Sequence, residues 1–570
     1  MKMLNITIDG VAVQVPEGTT VLEAAKQAGI NIPTLCYLKN INEIGACRMC
    51  LVEIKGAKAL QTACVYPVAE GNEIYTSSPA VREARKMNLS LLLSNHKKEC
   101  LTCDRNKNCE LQTLSEELSI KEMPFEGASC ELPIDDSSVS IVKDPQKCIL
   151  CKRCIAVCKN VQSVGIIDAV NRGFVTTIEP AFGQKLGEAA CVNCGQCVVS
   201  CPVGALTEKS NIQNVWDAIG DPEKTVLVQT APAVRAALGE EFGMEIGTAV
   251  TSQMVGAHRR LGFDKVFDTD TGADVTILEE GTELINRIKN GGKLPLITSC
   301  SPGWIKFCET YYPEFIPNLS TVRSAQSILA SLIRTRFAGG VGVSPDRIHC
   351  VAAAPCTARK NEAAHAVPGG EAALDAVLTS RELLRLLRLY GIDFNSLLPE
   401  PADAPFDMRS TAGKLSDVSG GTAEAILRTT HRLLSGRELK SMKIESLRGL
   451  DPLKETTIRI GDAEIGVVVV SGLGAARRVL DLIRSGVMRD VKLLEIHACP
   501  GGCIAGGGQP FGVTPEKIKS RMQALYSIDQ SEHLRTAHSN PDVRALLETV
   551  SAPESAELFH TVYAPRDVIV

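Results

Sequence analysis

Apolar residues occupy every second position along residues 4–15, interrupted by the turn signal Asp9-Gly10. This alternation predicts a β-hairpin. The next segment, Thr20-Val21-Leu22-Glu23, matches a capping box and predicts a helix that closes near Gly29. Hairpin and helix together predict a small α+β, grasp-like domain over residues 1–78.

Three further regions differ in their pattern. Residues 79–125 read as helical and highly charged, residues 140–209 form a compact cysteine-rich segment, and residues 210–570 repeat strand, loop and helix. A chain of 570 residues is too long for one hydrophobic core. The sequence therefore predicts a multidomain protein of α+β and α/β class, with a domain in each region.

Four apolar runs in the last region predict buried strands of an α/β sheet. Three of them lead directly into Cys300, Cys356 and Cys499. Because ligand sites in open α/β sheets lie at the carboxyl ends of strands, we expect these distant cysteines to converge on one site. The runs are Val226-Leu227-Val228, Leu294-Pro295-Leu296-Ile297, Ile348 to Ala354, and Leu493-Leu494-Glu495-Ile496.

Composition narrows the function classes. With 44% hydrophobic and 22% charged residues the chain resembles an ordinary globular protein, and no apolar run reaches the roughly 18 residues that a membrane span needs. No signal region opens the sequence, so we expect a cytoplasmic protein. A net charge of -5 without a basic block makes nucleic acid an unexpected partner. The chain has 22 cysteines, 16 of them between Cys36 and Cys201, which in an intracellular protein favours metal over disulfides.

Two cysteine runs carry the spacing of a two-cluster ferredoxin. Three closely spaced thiolates of each run bind one [4Fe–4S] cluster and the fourth binds the other, so Cys201 completes the first site and Cys158 the second. A zinc ribbon is the alternative, and Lys159 stands where proline is usual. The runs are Cys148, Cys151, Cys154 and Cys158, and Cys191, Cys194, Cys197 and Cys201.

Two further sets of possible ligands precede these runs. Four cysteines on the grasp-like domain suit a [2Fe–2S] cluster, with zinc as the alternative. One histidine and three cysteines follow, a set that serves structural zinc as well as a [4Fe–4S] cluster. Its position between two electron carriers favours the cluster. The first set is Cys36, Cys47, Cys50 and Cys64, and the second is His96, Cys100, Cys103 and Cys109.

The cysteine-rich region from Cys36 to Cys201 and three downstream loops together resemble the [FeFe]-hydrogenases, and this resemblance covers nearly the whole chain. The grasp-like and His/Cys3 parts also resemble the large iron–sulfur subunit of respiratory complex I, but the three loops distinguish the chain from that subunit. A cluster-assembly protein is a further alternative. The loops are Thr298-Ser299-Cys300-Ser301-Pro302-Gly303-Trp304, Pro355-Cys356-Thr357-Ala358-Arg359-Lys360-Asn361-Glu362, and residues 495–510 around Cys499 and Cys503.

The resemblance implies a two-lobed H-cluster domain over residues 210–570. Its H-cluster is a [4Fe–4S] cubane joined through a cysteine to a two-iron unit with CO, CN and a dithiolate amine. Cys356 and Cys499 would bind the cubane and Cys503 would bridge it to the two-iron unit. The glycines around Cys503 allow close backbone approach, whereas a phosphate loop would need a Lys-Ser/Thr pair that is missing.

The resemblance also implies a proton route and contacts to the two-iron unit. By themselves, glutamates at helical spacing are typical of a solvated face. The implied route comprises Arg287, Glu283, Ser320, Glu280 and Cys300, and the implied contacts are Arg359, His497, Ala354 and Gln326.

The chain departs from the family at several of these positions. Ala354 and His497 stand where methionine is common, Arg359 where lysine is, and Ala233 where serine is. Changes around a metal centre retune its potential and its proton affinity. A hydrogen sensor or a low-turnover electron-transfer protein is therefore an alternative to an enzyme.

The first loop departs at the pair Cys300-Ser301, where the family usually has two cysteines. In the family the first relays protons and the second binds the cubane. Because iron–sulfur clusters strongly favour thiolate, we expect Cys300 to bind and Ser301 or water to relay.

The remaining signals are weak. Ser471-Gly472-Leu473-Gly474-Ala475-Ala476-Arg477 follows a strand and is a partial dinucleotide fingerprint, but it lacks the third glycine and is typical of a packing turn. Cys130, Cys308 and Cys350 fit no cluster and read as small buried apolar residues.

The predicted function is that of an iron hydrogenase, interconverting H2 with protons and electrons. One [2Fe–2S], three accessory [4Fe–4S] clusters and the H-cluster are expected. Because no convincing nucleotide site is present, NAD(P) would bind a flavin-bearing partner chain, accompanied by a small iron–sulfur subunit. A stand-alone, ferredoxin-linked enzyme is the alternative.

Overall fold

The structure is a computed structural model that describes residues 2–127, 131–364, 373–406, 408–461 and 463–567. The chain divides into two compact units. The first comprises residues 1–161, 165–189 and 200–207, and the second comprises residues 162–164, 190–199 and 208–570. Within the described ranges, every helix is too short or too polar to cross a bilayer.

The first unit begins with a five-stranded sheet in the order β2-β1-β5-β3-β4, accompanied by α1. Short helices and two-stranded pairings follow. Its elements are β1 (Met3–Ile8), β2 (Val11–Pro16), α1 (Val21–Gln27), β3 (Leu51–Ile54), β4 (Gln61–Thr62), β5 (Glu73–Tyr75), α2 (Pro79–Ser94), α3 (Glu110–Glu117), β6 (Ile141–Lys143), α4 (Arg153–Ala156), β7 (Asp168–Val170) and β8 (Thr177–Glu179).

The predicted hairpin is confirmed. β1 and β2 pair antiparallel, with Leu4 opposite Val15 and Ile6 opposite Val13. Asp9 and Gly10 both have positive φ, 48° and 85°, as a two-residue turn with the twist of the strands requires. The alternate apolar side chains therefore reach one core, where Ile6 and Val15 are buried.

Of the two hydrogen bonds of the predicted capping box at α1, one forms. The Thr20 side chain accepts a hydrogen bond from the Glu23 N–H at 3.3 Å, as predicted, and the helix ends before Gly29, whose φ is 72°. The reciprocal bond from Glu23 is replaced, because its carboxylate accepts from the Tyr37 hydroxyl at 2.9 Å and pairs with Lys39.

The second unit contains most of the remaining elements. From residue 196 onward the chain forms α5 (Gln196–Ser200) and then β9 (Leu206–Glu208), of which residues 206 and 207 belong to the first unit. The elements that follow are α6 (Ile212–Gly220), β10 (Thr225–Thr230), α7 (Pro232–Arg235), α8 (Thr251–Leu261), β11 (Lys265–Asp268), α9 (Asp270–Asn290), β12 (Leu296–Ile297), α10 (Pro302–Tyr311), α11 (Ala325–Leu332), α12 (Ala338–Val341), β13 (Ile348–Ala354), α13 (Ala358–Ala363), β14 (Ala376–Thr379), α14 (Ser380–Leu389), α15 (Thr411–Leu415), α16 (Gly421–Ser435), β15 (Leu453–Ile460), β16 (Ala463–Ser471), α17 (Leu473–Arg484), β17 (Val491–His497), α18 (Pro515–Ser531), α19 (Pro541–Thr549) and α20 (Ala552–Phe559).

Two four-stranded sheets organise this unit. The first, β11-β10-β13-β14, is parallel, and the second, β12-β17-β16-β15, is parallel except for β15. All four predicted buried strands are confirmed as β10, β12, β13 and β17. Because β12, β13 and β17 end shortly before Cys300, Cys356 and Cys499, their carboxyl ends carry the three cysteines.

Helix α9 is the longest helix described and lies against α11, α15 and α16. The close approach is made at glycine: a Cβ on Gly272 would stand 2.1 Å from the Ala325 carbonyl oxygen. Most of the first three turns of α9 are buried. The helix therefore holds the glutamates at positions 280 and 283 at a fixed depth in the unit.

The partial dinucleotide fingerprint forms the turn between β16 and α17, at Gly472 with φ 91°. The Leu473 N–H at the start of α17 donates to the Gln162 side chain at 3.1 Å. Arg477 stacks over the rings of Phe307 and Tyr312. These contacts are those of a packing turn, as the sequence favoured. Cys308 and Cys350 are fully buried, as predicted, and Cys130 lies outside the described residues.

We predict a large difference between two glycine substitutions at the ends of α16. Gly420 and Gly436 both have positive φ, 94° and 69°. Alanine costs ~1–2 kcal/mol for the left-handed backbone at either position, but a Cβ on Gly420 would also stand 1.9 Å from the Leu447 carbonyl oxygen, whereas one on Gly436 meets nothing within 4 Å. Urea unfolding should therefore show a much larger loss of free energy of unfolding for Gly420→Ala than for the control Gly436→Ala. Equal losses would contradict the packing described.

Candidate active site

A cavity lies where the strands of the two sheets end. Ala231 follows β10, Cys300 follows β12 and Cys356 follows β13, and all three line it together with Cys503. Three sulfur atoms from distant parts of the sequence thus face one space. The predicted convergence occurs at the carboxyl ends of parallel strands, where open α/β sheets place ligand sites.

The thiols of this cavity and of the adjoining Cys499 are buried and close to one another. Burial, with the neighbouring Cys356, raises the pKa of Cys499 to about 12. Burial likewise raises the pKa of Cys503 well above its usual value, with Asp417, Cys356 and Cys300 adding to the effect. Without a metal these sulfurs stay protonated thiols, and a bound cluster would supply the positive charge that keeps them as thiolates.

Glycines bring the main chain close to the same cavity. A Cβ on Gly502 would stand 2.7 Å from the Ser419 nitrogen, and one on Gly506 would stand 2.1 Å from the Pro355 carbonyl oxygen. Gly502 also has φ 97°. Side chains are therefore excluded on both sides of Cys503, and the residues present fit a bulky inorganic group held by Cys356, Cys499 and Cys503.

The neighbouring residues Cys300 and Ser301 point to different places. Cys300 lines the cavity, and its side chain shares a hydrogen bond with Thr422. Burial, with Glu280 and Glu495 nearby, raises its pKa to about 12. The Ser301 hydroxyl instead accepts a hydrogen bond from the Ala498 N–H at 3.2 Å, beside Cys499. Of the two neighbours, Cys300 therefore faces the cavity and Ser301 lies beside Cys499.

Four residues of the predicted proton route form a continuous hydrogen-bonded chain. Arg287 pairs with Glu283 at 2.6 Å, and the Ser320 hydroxyl donates to the other oxygen of Glu283 at 3.0 Å. Ser320 also shares a hydrogen bond with Glu280. Glu280 and Ser320 are fully buried, whereas Arg287 and Glu283 keep part of their surface. The series therefore runs from the surface inward.

Glu280 is the innermost carboxyl of this chain. Burial, reinforced by the Glu283 charge, raises its pKa to about 8. One of its oxygens accepts from the N–H and hydroxyl of Ser299 at 3.2 and 3.3 Å. Cys300 lies within electrostatic reach of Glu280 and follows Ser299 directly. The chain of exchangeable groups therefore reaches the residue next to Cys300.

Of the predicted contacts to the two-iron unit, Arg359, Ala354 and Gln326 line the cavity. Arg359 donates to Glu362 and to the Cys300 carbonyl oxygen, each at 2.6 Å, so its guanidinium is fixed. His497 is placed differently: it lies behind Cys503, with Nδ1 3.8 Å from the sulfur.

Two lining residues were missed by the sequence analysis. Asp417 accepts a hydrogen bond from the Ala233 N–H at 2.7 Å and shares one with the Cys503 side chain, and Thr422 bonds to Cys300. Both lie near the start of α16, far in sequence from any cysteine motif. Only the Gly420-Gly421 pair nearby hinted at a close approach of backbone there.

The two ferredoxin-like runs share a local backbone. The sulfur of Cys148 accepts from the N–H two residues later at 3.4 Å, and Cys191 repeats this bond at the same distance. Positive φ recurs at Leu150 and Lys152 in the first run and at Asn193 and Gly195 in the second. In the first unit Cys201 lies near Cys151 and Cys154, as the crossed ligand assignment requires.

The second run also contacts the loop of Cys499. A Cβ on Gly507 would stand 2.2 Å from the Cys194 carbonyl oxygen, and the Gln196 side chain shares a hydrogen bond with Cys499. The Thr357 hydroxyl donates to the Asn193 carbonyl oxygen at 2.7 Å. The second run of predicted cluster ligands thus adjoins Cys499, next to the cavity.

The four cysteines of the predicted [2Fe–2S] site are buried and close in two pairs. Cys36 and Cys47 share a hydrogen bond, as do Cys50 and Cys64. The loop between them turns at Gly45 and Arg48, both with positive φ, 60° and 58°. Four sulfurs beside the five-stranded sheet suit the predicted cluster.

His96 presents an unused nitrogen. Its Nδ1 is buried with no protein partner, and burial lowers its pKa to about 4. A neutral imidazole with a free nitrogen is what a metal ligand requires. Cys103 and Cys109 lie near each other, and Cys100 is exposed. Among the described residues, no three His, Cys, Asp or Glu side chains are arranged to hold a single metal ion.

Family comparisons agree with these sites along the chain. Residues 224–507 match the iron only hydrogenase large subunit, C-terminal domain, and residues 515–566 match the iron hydrogenase small subunit. Upstream matches are a 2Fe-2S iron-sulfur cluster binding domain at 1–79, an NADH-ubiquinone oxidoreductase-G iron-sulfur binding region at 85–124, and a 4Fe-4S binding domain at 186–207.

Individual relatives cover nearly all of the chain. It is 43% identical to NADP-reducing hydrogenase subunit HndD of Solidesulfovibrio fructosivorans, over 99% of this chain and 100% of that protein. Iron hydrogenase 1 of Clostridium pasteurianum is 37% identical over 94% of this chain and 95% of its own length. The solved structure of apo [FeFe]-hydrogenase HydA1 from Chlamydomonas reinhardtii matches with a TM-score of 0.56 and 33% identity, over 63% of this chain and 99% of that one.

We predict that Glu280 is a carboxylic acid at neutral pH. Since its pKa is raised to about 8, the neutral form dominates below that pH and is lost above it. Infrared difference spectroscopy should show a protonated-carboxyl band at pH 7 that disappears as the pH rises through about 8 and is absent from Glu280→Gln. A band that persists in the glutamine variant would belong to another residue.

Proposed function

Since this chain belongs to the iron-only hydrogenase family, we propose that it is the catalytic subunit that interconverts H2 with protons and electrons. The observation that carries the proposal is the cavity lined by Cys300, Cys356 and Cys503, with Cys499 next to Cys356, beside a buried hydrogen-bonded chain ending at Glu280. A site that makes or splits H2 needs both a redox metal and a path for protons.

Cys356 and Cys499 would hold the cubane, and Cys503 would join it to the two-iron unit. When bound, the H-cluster supplies the electrons and the metal site at which protons and H2 interconvert. The chain's own residues shape that site: Arg359 is fixed by Glu362 and the Cys300 carbonyl, and glycines on both sides of Cys503 let the main chain pack closely around this cysteine.

For the proton path, the Glu283 carboxylate would take up a proton near the surface and Ser320 would pass it to Glu280. Glu280 can both hold and release it near neutral pH, because burial raises its pKa to about 8. Cys300 follows as the last exchangeable group, lining the cavity near Cys503. We therefore assign the relay role to Cys300 and place Ser301 on the cubane side, contrary to the expectation from thiolate preference alone.

The accessory sites would form an electron relay. We infer one [2Fe–2S] cluster, a His96-ligated [4Fe–4S] cluster and two ferredoxin-type [4Fe–4S] clusters, in a grasp-like domain, a His/Cys3 domain and a two-cluster ferredoxin domain ahead of a two-lobed H-cluster domain. The contact between the Cys194 segment and Gly507 supports transfer from the last accessory cluster to the cavity.

The external electron partner is inferred from the relative of similar length. Because that protein is a subunit of an NADP-reducing hydrogenase, we infer flavin- and NAD(P)-binding and small iron–sulfur partner subunits, rather than ferredoxin alone. The turn at Gly472 also supports a separate nucleotide-binding subunit, because the Leu473 N–H at the start of α17 already donates to the Gln162 side chain and not to a nucleotide phosphate. A partner that uses NAD(P) also favours a cytoplasmic location.

Infrared spectroscopy tests the function directly. After maturation with the H-cluster machinery, the protein should show bands of metal-bound CO and CN and contain about 20 iron atoms per chain. The unmaturated protein, which keeps only its [4Fe–4S] and [2Fe–2S] sites, serves as the control. Absence of the bands after maturation that succeeds on a known hydrogenase would overturn the proposal.

A substitution at Glu283 tests the proton route. Glu283→Gln keeps the shape of the side chain but cannot relay a proton, so we expect turnover to fall by ~100-fold or more with the CO and CN bands retained. Glu279→Gln, one position outside the route on the same helix, is the matched control, since Glu279 faces His560 at 3.5 Å. Turnover like that of the unmodified enzyme in Glu283→Gln would remove this residue from the path.

The roles of Cys300 and Ser301 can be separated. If Cys300 relays protons, Cys300→Ala should keep the CO and CN bands and nearly all its iron while turnover is lost, because Cys503 still anchors the two-iron unit. Loss of the bands together with iron would show that Cys300 is a cubane ligand. In that case Ser301→Cys should restore cluster occupancy in the Cys300→Ala background.

A further inference from the structure

Glu495 and His497 are brought together by the strand that carries them. Side chains two residues apart on a β-strand lie on the same face, and β17 ends at His497. Both side chains are essentially inaccessible to water, 0% and 1% exposed. The strand continues directly into Ala498 and Cys499, and His497 lies next to Cys503, which lines the cavity. The buried pair therefore lies just outside the cavity.

The Glu495 carboxylate is fixed at both oxygens. One accepts the N–H of Gly420 and the other the N–H of Ala423, each at 2.6 Å, at the start of α16. Burial alone would raise its pKa, but the bonds to His497 and to these amides hold it below the usual value. The carboxylate therefore stays ionised and caps the helix, where a negative charge is favourable.

His497 bridges this carboxylate and the sulfur of Cys503. Its Nε2 lies 2.9 Å from Glu495 Oε1, and its Nδ1 lies 3.8 Å from Cys503 Sγ. With the first nitrogen facing a fixed anion, the ring has one orientation, and that orientation aims the second nitrogen at the sulfur. The ring is thus positioned from behind, without itself lining the cavity.

We propose that His497 is a positioning residue with a proton on each ring nitrogen: Nε2–H faces the Glu495 carboxylate, which is fixed at the start of α16, and Nδ1–H donates a hydrogen bond to the Cys503 sulfur. The inference rests on the proposed function, in which Cys503 bridges cubane and two-iron unit. It deepens that function by assigning a role to a residue at which the sequence departs from the methionine common in the family. Methionine has no proton to donate.

A hydrogen bond to a cluster sulfur withdraws electron density from the irons. The reduction potential of an iron–sulfur centre rises with such bonds, and partners of the ligands tune metal sites in general. With less density on iron, less is donated back into the bound CO, so its stretching bands lie at higher wavenumber. Removing the donor should therefore shift both observables downward.

The test compares two variants of the matured, full-length enzyme. His497→Met removes the donor, whereas His497→Asn places an amide N–H close to the position of Nδ1. We expect the CO and CN bands of His497→Met to move to lower wavenumber and the potential of its H-cluster, followed by spectroelectrochemistry, to fall. His497→Asn should keep both near the values of the unmodified enzyme. Iron content and the electron paramagnetic resonance signals of the accessory clusters serve as the check on folding.

Each other outcome has a definite meaning. Unshifted bands in His497→Met would overturn the hydrogen bond. Equal shifts in both variants, or loss of the H-cluster from both, would also overturn it, because the size of the ring rather than its donor would then matter. Loss of the cluster from His497→Met alone supports the inference. Absence of CO and CN bands from the unmodified enzyme would instead defeat the proposed function, and this inference with it.

Discussion

Burial of several cysteine sulfurs close together is the constraint on which the catalytic half of the molecule depends. Burial raises the pKa values of Cys499 and Cys503, and Arg359, which lines the cavity, is a cation near Cys356 and Cys503. A thiolate cannot persist there without metal. The surrounding elements can be understood as the means of holding such sulfurs together: strand ends that deliver them, and glycines that let the backbone close around a large group.

The same burial acts on the proton-carrying groups with a different result. Glu280 is shielded from water on every side, and this moves its pKa to about 8, into the range where it exchanges protons at physiological pH. Glu495 is buried equally deeply, but two main-chain amides and His497 keep it ionised. Burial alone therefore does not decide whether a carboxyl is ionised. The hydrogen-bond donors around it also matter, and they distinguish Glu280, which can exchange a proton, from Glu495, which stays ionised and orients the His497 ring.

Much of the fold was predictable because its signals are local. The hairpin at Asp9-Gly10 needs only alternation and a turn pair, and the buried strands β10, β13 and β17 need only apolar runs. The missing half of the α1 capping box shows the limit, since Glu23 found the distant partners Tyr37 and Lys39. Long-range partners of that kind leave no trace in a local pattern.

The candidate site was predictable where chemistry fixes residue type. Cysteine spacing and the loop motifs identified the sulfurs, whereas Asp417 and Thr422 were missed because they reach the cavity only through the packing of α15 and α16. The placement of His497 behind Cys503 was missed for the same reason. The pair Cys300-Ser301 was judged from thiolate preference, and side-chain direction, which a sequence does not encode, points the other way.

The close approach of Gly507 to the Cys194 carbonyl constrains which substitutions these two loops can accept during evolution. Electron tunnelling weakens steeply with separation, so the gap between two redox centres must be preserved more strictly than most distances in a protein. Between the two clusters proposed on either side of this contact, main chain lies against main chain at Gly507. For the proposed electron transfer, substitutions elsewhere in both loops would leave the separation unchanged as long as that glycine is kept.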